Sequence, residues 1–365
     1  MADKHILQFC HGYEGPFLDI ARQYAVLFKD TDYKVTTVYL TGAPSAEVEQ
    51  GSASDQVLFL DYSGKQVRGL KLGAIADIRR LVARQRFAFC IAHRAKPTYV
   101  ALFGTQLPVV SVHHAFGNFQ RQSRKALAKL FARRLYLLGI SNAVRDDLRQ
   151  SLPGLPQARI QTLYNHIDLA VLQAEQSDRA EARTQLGLPQ DAWIVGNVGR
   201  LHPDKDQTTL LRAFAEARPR LPDNSLLVIL GQGRLESQLR QLAEQLGIAG
   251  QVRFLGQVPG ARRYFKAFDL FALSSDREPF GMVLLEAMAA CLPILASDCG
   301  GAPEVLGAPD RLFPFGDSAA LAERLVSASQ GPIEVNWDER LQGLFSDDAA
   351  REHLFALLKD WRLIP

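Results

Sequence analysis

Residues 193–206 read WIVGNVGRLHPDKD, a short apolar segment that ends at a glycine and runs into a polar stretch. A segment of this length that is rich in Val and Ile is typical of a buried parallel strand. Apolar residues spaced i, i+3 and i+4 follow over 206–218 and predict an α-helix. We therefore predict a strand, a turn and a helix here, the first part of a βαβ unit.

The same alternation of apolar runs and helical patterns continues on both sides of this stretch. The predicted strands are HILQFC, YKVTTVYL, QVLFLDY, FAFCIAH, PVVSVHH and LYLLGIS before it, and SLLVILG, VRFLG, LFALSS and PILASD after it. Helical patterns cover 234–246, 281–290 and 318–329. We predict an α/β fold of two doubly wound domains, joined near 166–190. The chemistry is expected in a cleft between them, at the carboxyl ends of the strands.

The composition of the 365-residue chain is that of a globular protein. Hydrophobic residues make up 47% and charged residues 22%, which excludes a disordered, collagen-like or coiled-coil chain. There is no apolar run of the roughly 18–20 residues that span a bilayer, and no recognisable secretion signal, so we expect a cytoplasmic protein. The cysteines have neither disulfide nor zinc spacing and are expected to be buried: Cys10, Cys90, Cys291 and Cys299.

The net charge of +3 is unevenly distributed. Residues 1–168 hold 22 Lys and Arg against 13 Asp and Glu, giving +9, whereas the remaining residues hold 20 against 26, giving −6. A basic first half predicts an anionic surface or substrate beside it.

Two cations follow the strand of the opening stretch. Arg200 lies at its carboxyl end and Lys205 just before the next helix, so both side chains and a helix N-terminus are expected to converge on one anion. The predicted site has the size and charge of a diphosphate. The alternative is a solvent-exposed loop with ordinary surface charges.

The segment 278–290, EPFGMVLLEAMAA, holds two carboxylates. From 280 onward every residue except Glu286 is apolar or glycine, which predicts a helix buried on nearly all sides and a partner for that carboxylate. Glu278 lies just before the helix, where the first N–H groups have no intrahelical acceptor. A polyhydroxylated anionic ligand fits both ends. The alternative is a capping role for Glu278 and a salt bridge from Glu286 to a neighbouring helix.

Together these motifs resemble the retaining GT-B glycosyltransferases of family 4. The resemblance rests on E-x7-E in EPFGMVLLE, on GRLHPDKD and on LLVILGQG between them, and it extends in order through IAHR, VVSVHHAF, LGISNAVRDDL and LYNHID. It implies two Rossmann-like domains facing a central cleft. The N-terminal, acceptor-side domain would comprise 1–168 plus 350–365, and the donor-binding domain 169–349.

The resemblance also implies a nucleoside-diphosphate sugar as donor, expected to be UDP-linked. Arg200 and Lys205 would hold the diphosphate and Glu286 the ribose, while Glu278 would hold the transferred sugar and act with His113 as a catalytic residue. The further donor-binding positions are Gly12, Gln257, Val258 and the backbone amides of Phe280, Gly281, Met282 and Val283. No metal or other cofactor is expected.

Two positions depart from the family pattern, and His113 has a second interpretation. His11 replaces the first glycine of the pair that follows the first strand, so that only Gly12 matches. In LYNHID, His166 stands where the family commonly has glycine. A histidine at a strand end is also often a hydrogen-bonded structural residue, which is the alternative for His113.

Two weaker motifs point to other functions. Asp30-Thr31-Asp32 matches the D-x-D of metal-using glycosyltransferases but lies in a polar turn before a strand. Gly231-Gln232-Gly233 follows a strand like a dinucleotide fingerprint but lacks its third glycine. A sugar-nucleotide epimerase of the same architecture and a binding protein without activity remain alternatives.

Residues 119–138, FQRQSRKALAKLFARRLYLL, predict a basic amphipathic helix. Each cation near an anionic leaflet contributes on the order of 1 kcal/mol, so the helix is expected to bind membrane or acceptor phosphates. The alternative is an ordinary surface helix. We expect transfer to a phosphorylated glycolipid or oligosaccharide, with lipopolysaccharide core or exopolysaccharide as alternatives, at the inner face of the cytoplasmic membrane and with no nucleic-acid partner. The cations on this helix are Arg121, Lys125, Lys129 and Arg133.

Overall fold

The computed structural model describes residues 4–331, 333 and 335–365. They form two compact units, which we call the first and second units. The first comprises the chain up to His166 together with Asp347–Pro365, and the second comprises Ile167–Ser346. These boundaries differ by a few residues from the predicted 168/169 and 349/350, because the helix that begins at Asp347 packs entirely within the first unit.

Seven strands form the sheet of the first unit. They are Lys4–Cys10 (β1), Tyr33–Tyr39 (β2), Gln56–Phe59 (β3), Phe87–His93 (β4), Val109–His113 (β5), Leu135–Gly139 (β6) and Ile160–Thr162 (β7). Their order is β3-β2-β1-β4-β5-β6-β7, and all neighbours run parallel. β5 and β6 are fully buried, as expected of strands covered on both faces. The connecting helices are Phe17–Val26 (α1), Ala46–Gly51 (α2), Leu72–Arg84 (α3), Ala95–Gly104 (α4), Gln122–Leu130 (α5) and Asn142–Ser151 (α6).

The second unit has a six-stranded parallel sheet. Its strands are Ile194–Val198 (β8), Leu226–Leu230 (β9), Val252–Gly256 (β10), Leu270–Leu273 (β11), Ile294–Ser297 (β12) and Leu312–Phe313 (β13), in the order β10-β9-β8-β11-β12-β13. Its helices are Leu169–Ala174 (α7), Arg179–Gln185 (α8), Gln207–Ala217 (α9), Glu236–Gln245 (α10), Met282–Ala289 (α11), Ala302–Leu306 (α12), Ser318–Ser329 (α13) and Asp338–Phe345 (α14). The predicted α/β fold is confirmed. The short β7 and β13 were not predicted, because two or three residues carry no periodicity.

The last helix, Asp347–Asp360 (α15), packs on the first unit. His166 is fully buried, and its Nδ1 lies 2.7 Å from Oδ1 of Asp347. The Arg351 guanidinium donates to the backbone carbonyl of Leu27, and the Trp361 indole N–H donates to that of Ala158 at 2.8 Å. His166, which stands where the resembled family commonly has glycine, therefore holds the C-terminal helix against the first unit through this contact.

The predicted amphipathic helix over 119–138 is wrong. Only α5 is helical, residues 131–134 form a turn, and 135–139 belong to β6. Leu130, which lies on the apolar side of the predicted helix, has an exposed fraction of 70%. The 100° periodicity failed because a leucine-rich strand directly follows a short helix, and the apolar residues of both were counted as one face. Among the predicted cations, Lys125 and Lys129 lie within α5, Arg121 caps it and Arg133 lies in the turn.

Two further predictions concern the burial of the cysteines and the length of the apolar helices. Cys10 and Cys90 are buried, and burial raises the pKa of both thiols. Contrary to prediction, Cys291 is exposed and Cys299 is only half-buried. Cys291 follows α11 with a φ of +56°, a turn position at the surface. No helix in the described part of the chain is long and apolar enough to cross a bilayer.

Candidate active site

The loops after β8 and β9 pack closely at the carboxyl edge of the second sheet. Gly231 has a φ of +133°, and a Cβ there would lie 1.9 Å from the carbonyl oxygen of Gly199. A Cβ on Gly233 would lie 2.3 Å from the carbonyl oxygen of Leu201. The glycine pair that resembled a dinucleotide fingerprint thus permits the backbone approach that supports the loop of Arg200.

Lys205 and Glu278 form a largely buried ion pair at this edge. The Lys205 Nζ lies 2.6 Å from Oε2 of Glu278, and the two side chains are 18% and 8% exposed. Asp206 caps the N-terminus of α9 and accepts a hydrogen bond from the Thr209 hydroxyl at 2.5 Å, which fixes the turn that presents Lys205. A lysine ammonium has three N–H donors, so this one has two left for a ligand.

Glu278 is held by the loops after β11 and β12. Its Oε2 also accepts from the Ser275 hydroxyl at 3.3 Å, and its backbone carbonyl accepts from the Gly301 N–H at 2.7 Å. Gly300 has a φ of +55°, and a Cβ there would lie 2.1 Å from the same carbonyl. No described residue bonds Oε1 of Glu278, so this oxygen can accept from hydroxyl groups of a ligand.

Arg200 is in a different environment from Lys205. Its side chain is 70% exposed, and Nη2 lies 3.2 Å from Oδ2 of Asp204, whose Oδ1 is 2.6 Å from Nδ1 of His202. Within the described part of the chain, Arg200 does not join the Lys205–Glu278 pair. An exposed ion pair is weak, so the guanidinium can reach an anion at small energetic cost.

The helix α11 has one half-buried face, contrary to the prediction that it is buried on nearly all sides. Met282, Val283 and Glu286 lie on this face, because residues i, i+1 and i+4 lie close together around a helix. Gly281 precedes the helix with a φ of +100° and has no capping side chain, so the first amides of α11 are available for a ligand by helix geometry. Glu286 thus lies on the face that is not fully packed.

Three further predicted donor-binding positions lie in loops of the second unit: Phe280, Gln257 and Val258. The Phe280 side chain is buried and packs edge-to-face on Phe345 with ring centroids 5.7 Å apart, so only its backbone could serve a ligand. Gln257 is exposed after β10 and accepts from Gln232 at 2.7 Å, while Val258 is half-buried.

His113 and Gly12 lie at the carboxyl edge of the first sheet. His113 ends β5, is 2% exposed, and has its Nε2 3.1 Å from the Ser111 hydroxyl. Burial lowers its pKa to about 4, so the ring is neutral near pH 7. Gly12 follows β1, and a Cβ there would lie 2.8 Å from Oγ1 of Thr41. Both predicted roles, for His113 and for Gly12, stay predictions.

The same edge holds polar residues that the prediction did not include. His93 ends β4, is 3% exposed, and stacks on His114 with ring centroids 5.6 Å apart. Arg94 follows with a φ of +72°, and its guanidinium lies 4.5 Å from the ring centroid of Phe17. Lys96 lies in the first turn of α4. A signal was present in the sequence: residues 78–145 contain 13 Lys and Arg and neither Asp nor Glu.

The D-x-D motif lies away from these edges. Asp30 has a φ of +59° in the turn that leads into the amino end of β2. No group of three metal-ligating side chains suited to a metal ion occurs among residues 4–331, 333 and 335–365.

Two Rossmann-like parallel sheets, each with polar residues at its carboxyl edge, define a GT-B glycosyltransferase fold. Family models match in the same order: "Glycosyltransferase Family 4" over residues 21–171 and "Glycosyl transferases group 1" over residues 178–341. The chain therefore belongs to the glycosyltransferases that combine these two domains, which confirms the predicted family.

Curated relatives match mainly over part of their length. A D-inositol 3-phosphate glycosyltransferase of Mycobacterium marinum is 40% identical over 220 residues, which are 57% of this chain and 44% of that protein. An N-acetyl-alpha-D-glucosaminyl L-malate synthase of Bacillus anthracis is 26% identical over 319 residues, 85% of this chain and 81% of that protein. The chain thus spans less than half the length of the first relatives.

Solved structures share the fold at low sequence identity. A glycosyltransferase from Rickettsia africae has a TM-score of 0.83 at 14% identity, covering 98% of this chain and 99% of that one. Anabaena Alr3699/HepE, in complex with UDP and glucose, has a TM-score of 0.77 at 21% identity, covering 97% and 99%. The lipopolysaccharide outer core galactosyltransferase WaaB has a TM-score of 0.73 at 16% identity, covering 98% and 99%.

Proposed function

We propose that this protein is a retaining glycosyltransferase that moves a sugar from a UDP-sugar without a metal ion. The observation that carries the proposal is the Lys205–Glu278 pair, which is 2.6 Å long, largely buried, and followed by the N-terminus of α11. It is further supported by the UDP-bound Anabaena structure with the same fold.

The residue types suit the chemistry of glycosyl transfer. Breaking the sugar–phosphate bond leaves growing negative charge on the diphosphate, and cations fixed beside it stabilise the transition state more than the ground state. Lys205 would supply a preorganised charge and Arg200 a mobile one. Oε1 of Glu278 would accept hydrogen bonds from hydroxyls of the transferred sugar. The backbone amides of Met282 and Val283 would donate hydrogen bonds to the same sugar. Glu286 would hold the ribose.

Thermal stabilisation by nucleotide sugars tests the donor. A ligand that binds only the native state raises the melting temperature, so UDP-sugars should stabilise the protein more than GDP- or ADP-sugars. The Lys205→Ala variant should lose the effect, and Lys266→Ala in the same unit is a matched control. Stabilisation by none of the three classes would contradict a nucleotide-sugar donor.

The reaction products test the mechanism. A transferase releases UDP in proportion to acceptor, whereas an epimerase converts the donor into an isomer with no acceptor present. NMR of the product should show the anomeric configuration of the donor, and inversion would contradict the retaining mechanism. Full activity after EDTA treatment is expected, and recovery only on adding a divalent cation would contradict metal independence.

We propose lipopolysaccharide core or a similar cell-envelope glycolipid as the acceptor. The first unit carries the excess positive charge that a phosphorylated acceptor needs, and WaaB supplies a fold precedent. Radiolabelled UDP-sugars incubated with core oligosaccharides, either phosphorylated or dephosphorylated, test this. Transfer should require the phosphates, and equal transfer to both would contradict the electrostatic argument.

A surface of the first unit supports attachment to an anionic membrane. Leu70, Leu72 and Leu130 are 66%, 68% and 70% exposed. The Lys71 Nζ lies 4.6 Å from the ring centroid of Tyr99. The Tyr99 ring contacts Phe103, and Phe103 contacts Phe131, which follows Leu130 in the chain. Leucines and aromatic rings beside basic side chains are the composition of membrane-surface segments. The neighbouring cations are Arg121, Lys125, Lys129 and Arg133.

Vesicle sedimentation tests this attachment. Binding to vesicles that contain phosphatidylglycerol should exceed binding to pure phosphatidylcholine and should weaken with salt. Replacing the three exposed leucines with Ser should reduce binding by about tenfold or more, since each buries apolar area. The control is Leu344→Ser, an exposed leucine of the second unit. Equal binding by both variants would contradict the proposed surface.

A further inference from the structure

Arg94 and Lys96 are cations without acidic partners. No described carboxylate lies within ion-pair distance of either side chain. Both lie at the N-terminus of α4, whose first turn contains no acidic residue. Positive side chains at the positive end of a helix dipole repel it, so this arrangement is unfavourable unless an anion is present. The acidic side chains of the nearby β1–α1 region, Glu14 and Asp19, are exposed and bond neither cation.

The backbone of Arg94 is strained where glycine would be relaxed. Its φ of +72° and ψ of 168° lie in a region that is open almost only to glycine. The strained position directs the guanidinium over Phe17 at the start of α1, beside the loop of His11. Such strain persists only where the surroundings enforce it, and it clusters at binding sites.

Buried ring nitrogens without partners lie beside these cations. No described residue bonds Nε2 of His93, Nδ1 of His114 or Nδ1 of His11. Burial lowers the pKa of His93 to about 3, and burial with the charges of Lys96 and Arg94 lowers that of His11 to about 4. The rings are therefore neutral. His93 Nδ1 lies 3.3 Å from His114 Nε2, and this hydrogen bond couples the two tautomers, so one of the two outer nitrogens carries an N–H and the other a lone pair. Buried polar atoms are ordinarily satisfied, so several orphans in one place mark a ligand site.

We infer that the carboxyl edge of the first sheet binds an oxyanion, a phosphate or carboxylate group of the acceptor, between Arg94 and Lys96, with the outer N–H of the His93–His114 pair as a hydrogen-bond donor. The inference rests on the proposed function in that the bound group belongs to the acceptor. The anion would neutralise both cations, interact with the amino end of α4, and accept from the one outer N–H of the His93–His114 pair. The remaining lone pair can accept from a hydroxyl group of the same acceptor.

Inorganic phosphate is the probe, with saturating UDP added so that the donor-binding residues are occupied. NMR of histidine ring resonances should show phosphate-dependent shifts at His93, His114 and His11, and calorimetry should measure the affinity. Arg94→Gln and Lys96→Gln should each weaken phosphate binding by about tenfold. The matched control is Arg86→Gln, an exposed cation just before the amino end of the same strand, β4. Lys96 contacts no described carboxylate, so its variant keeps the test valid if Arg94→Gln proves unstable.

Each outcome has one meaning. Unchanged phosphate affinity in the Arg94→Gln/Lys96→Gln double variant, or no binding to the UDP-saturated protein, overturns the inference and leaves the proposed function standing. Failure of UDP to bind overturns the donor assignment while the phosphate titration can still succeed. Glycerol 3-phosphate and succinate then distinguish the two acceptor groups: tighter binding of one, lost in the same variants, identifies a phosphate ester or a carboxylate.

Discussion

At the carboxyl edge of the second sheet, Lys205 and Arg200 each pair with a carboxylate, whereas at the corresponding edge of the first sheet no carboxylate among the described residues pairs with Arg94 or Lys96. In the second unit, Lys205 is held in place by Glu278 before any ligand arrives, which is how a preorganised catalytic charge is built. At the edge of the first sheet, no described carboxylate pairs with Arg94 or Lys96, and no described residue bonds Nε2 of His93 or Nδ1 of His114. Electrostatic compensation therefore differs between two edges of the same architecture, and the less compensated edge is the one at which we propose that an anion binds.

Removing Lys205 should have the largest effect. Lys205→Ala should lower turnover by about 10²–10³, the scale for loss of one preorganised charge-stabilising group, and steady-state UDP release measures it. Arg200→Ala should lower turnover on the same scale if the mobile guanidinium reaches the diphosphate. Near-normal turnover in both variants would remove the electrostatic role from the second edge, with Lys266→Ala as the control.

Glycine-to-alanine variants at the carboxyl edges of the two sheets should differ in how much they lower the free energy of unfolding. Gly231→Ala should lower the free energy of unfolding by about 3 kcal/mol, because its Cβ would meet backbone at 1.9 Å and its φ is +133°. Gly12→Ala in the first unit should cost less, since its Cβ meets only the Thr41 hydroxyl, 2.8 Å away. Urea denaturation measures both, and equal losses would argue against a more rigid second edge.

Loss of the His166 imidazole should destabilise the first unit and leave the stability of the second unit unchanged. His166→Ala removes the 2.7 Å contact with Asp347 and leaves a buried gap, so unfolding free energy should fall by about 2 kcal/mol. Hydrogen exchange should show the loss of protection in α15 alone. Increased exchange throughout the second unit would mean that the contact does more than fasten this helix.

A gain in stability is the smallest expected effect. Arg94→Gly relieves a backbone conformation suited to glycine, and this relief exceeds the loss of the Phe17 contact, so unfolding free energy should rise by about 1 kcal/mol. The same variant should lose phosphate affinity. A variant that gains folding stability and loses ligand affinity is expected where a strained backbone position is needed for binding. A destabilised variant would show that the backbone of Arg94 is not strained.

Much of the fold was predictable because it rests on local patterns. The runs that became β1, β4 and β9 alternate with helical periodicity, and both chemical segments of the second unit were found at strand ends. The helix over 119–138 was wrong because periodicity cannot separate a short helix from an adjoining strand. The exposed Cys291 was missed because burial depends on which side of a turn faces outward.

The sequence alone determined the α/β class, the glycosyltransferase family and the residue types at both strand ends, because these depend on local periodicity and on short spacings along the chain. Tertiary structure alone decided the partners: that Lys205 bonds Glu278, 73 positions away, that His166 bonds Asp347, 181 positions away, and that His93 stacks on His114. Pairing distant residues requires sheet order and loop packing, which no local pattern specifies.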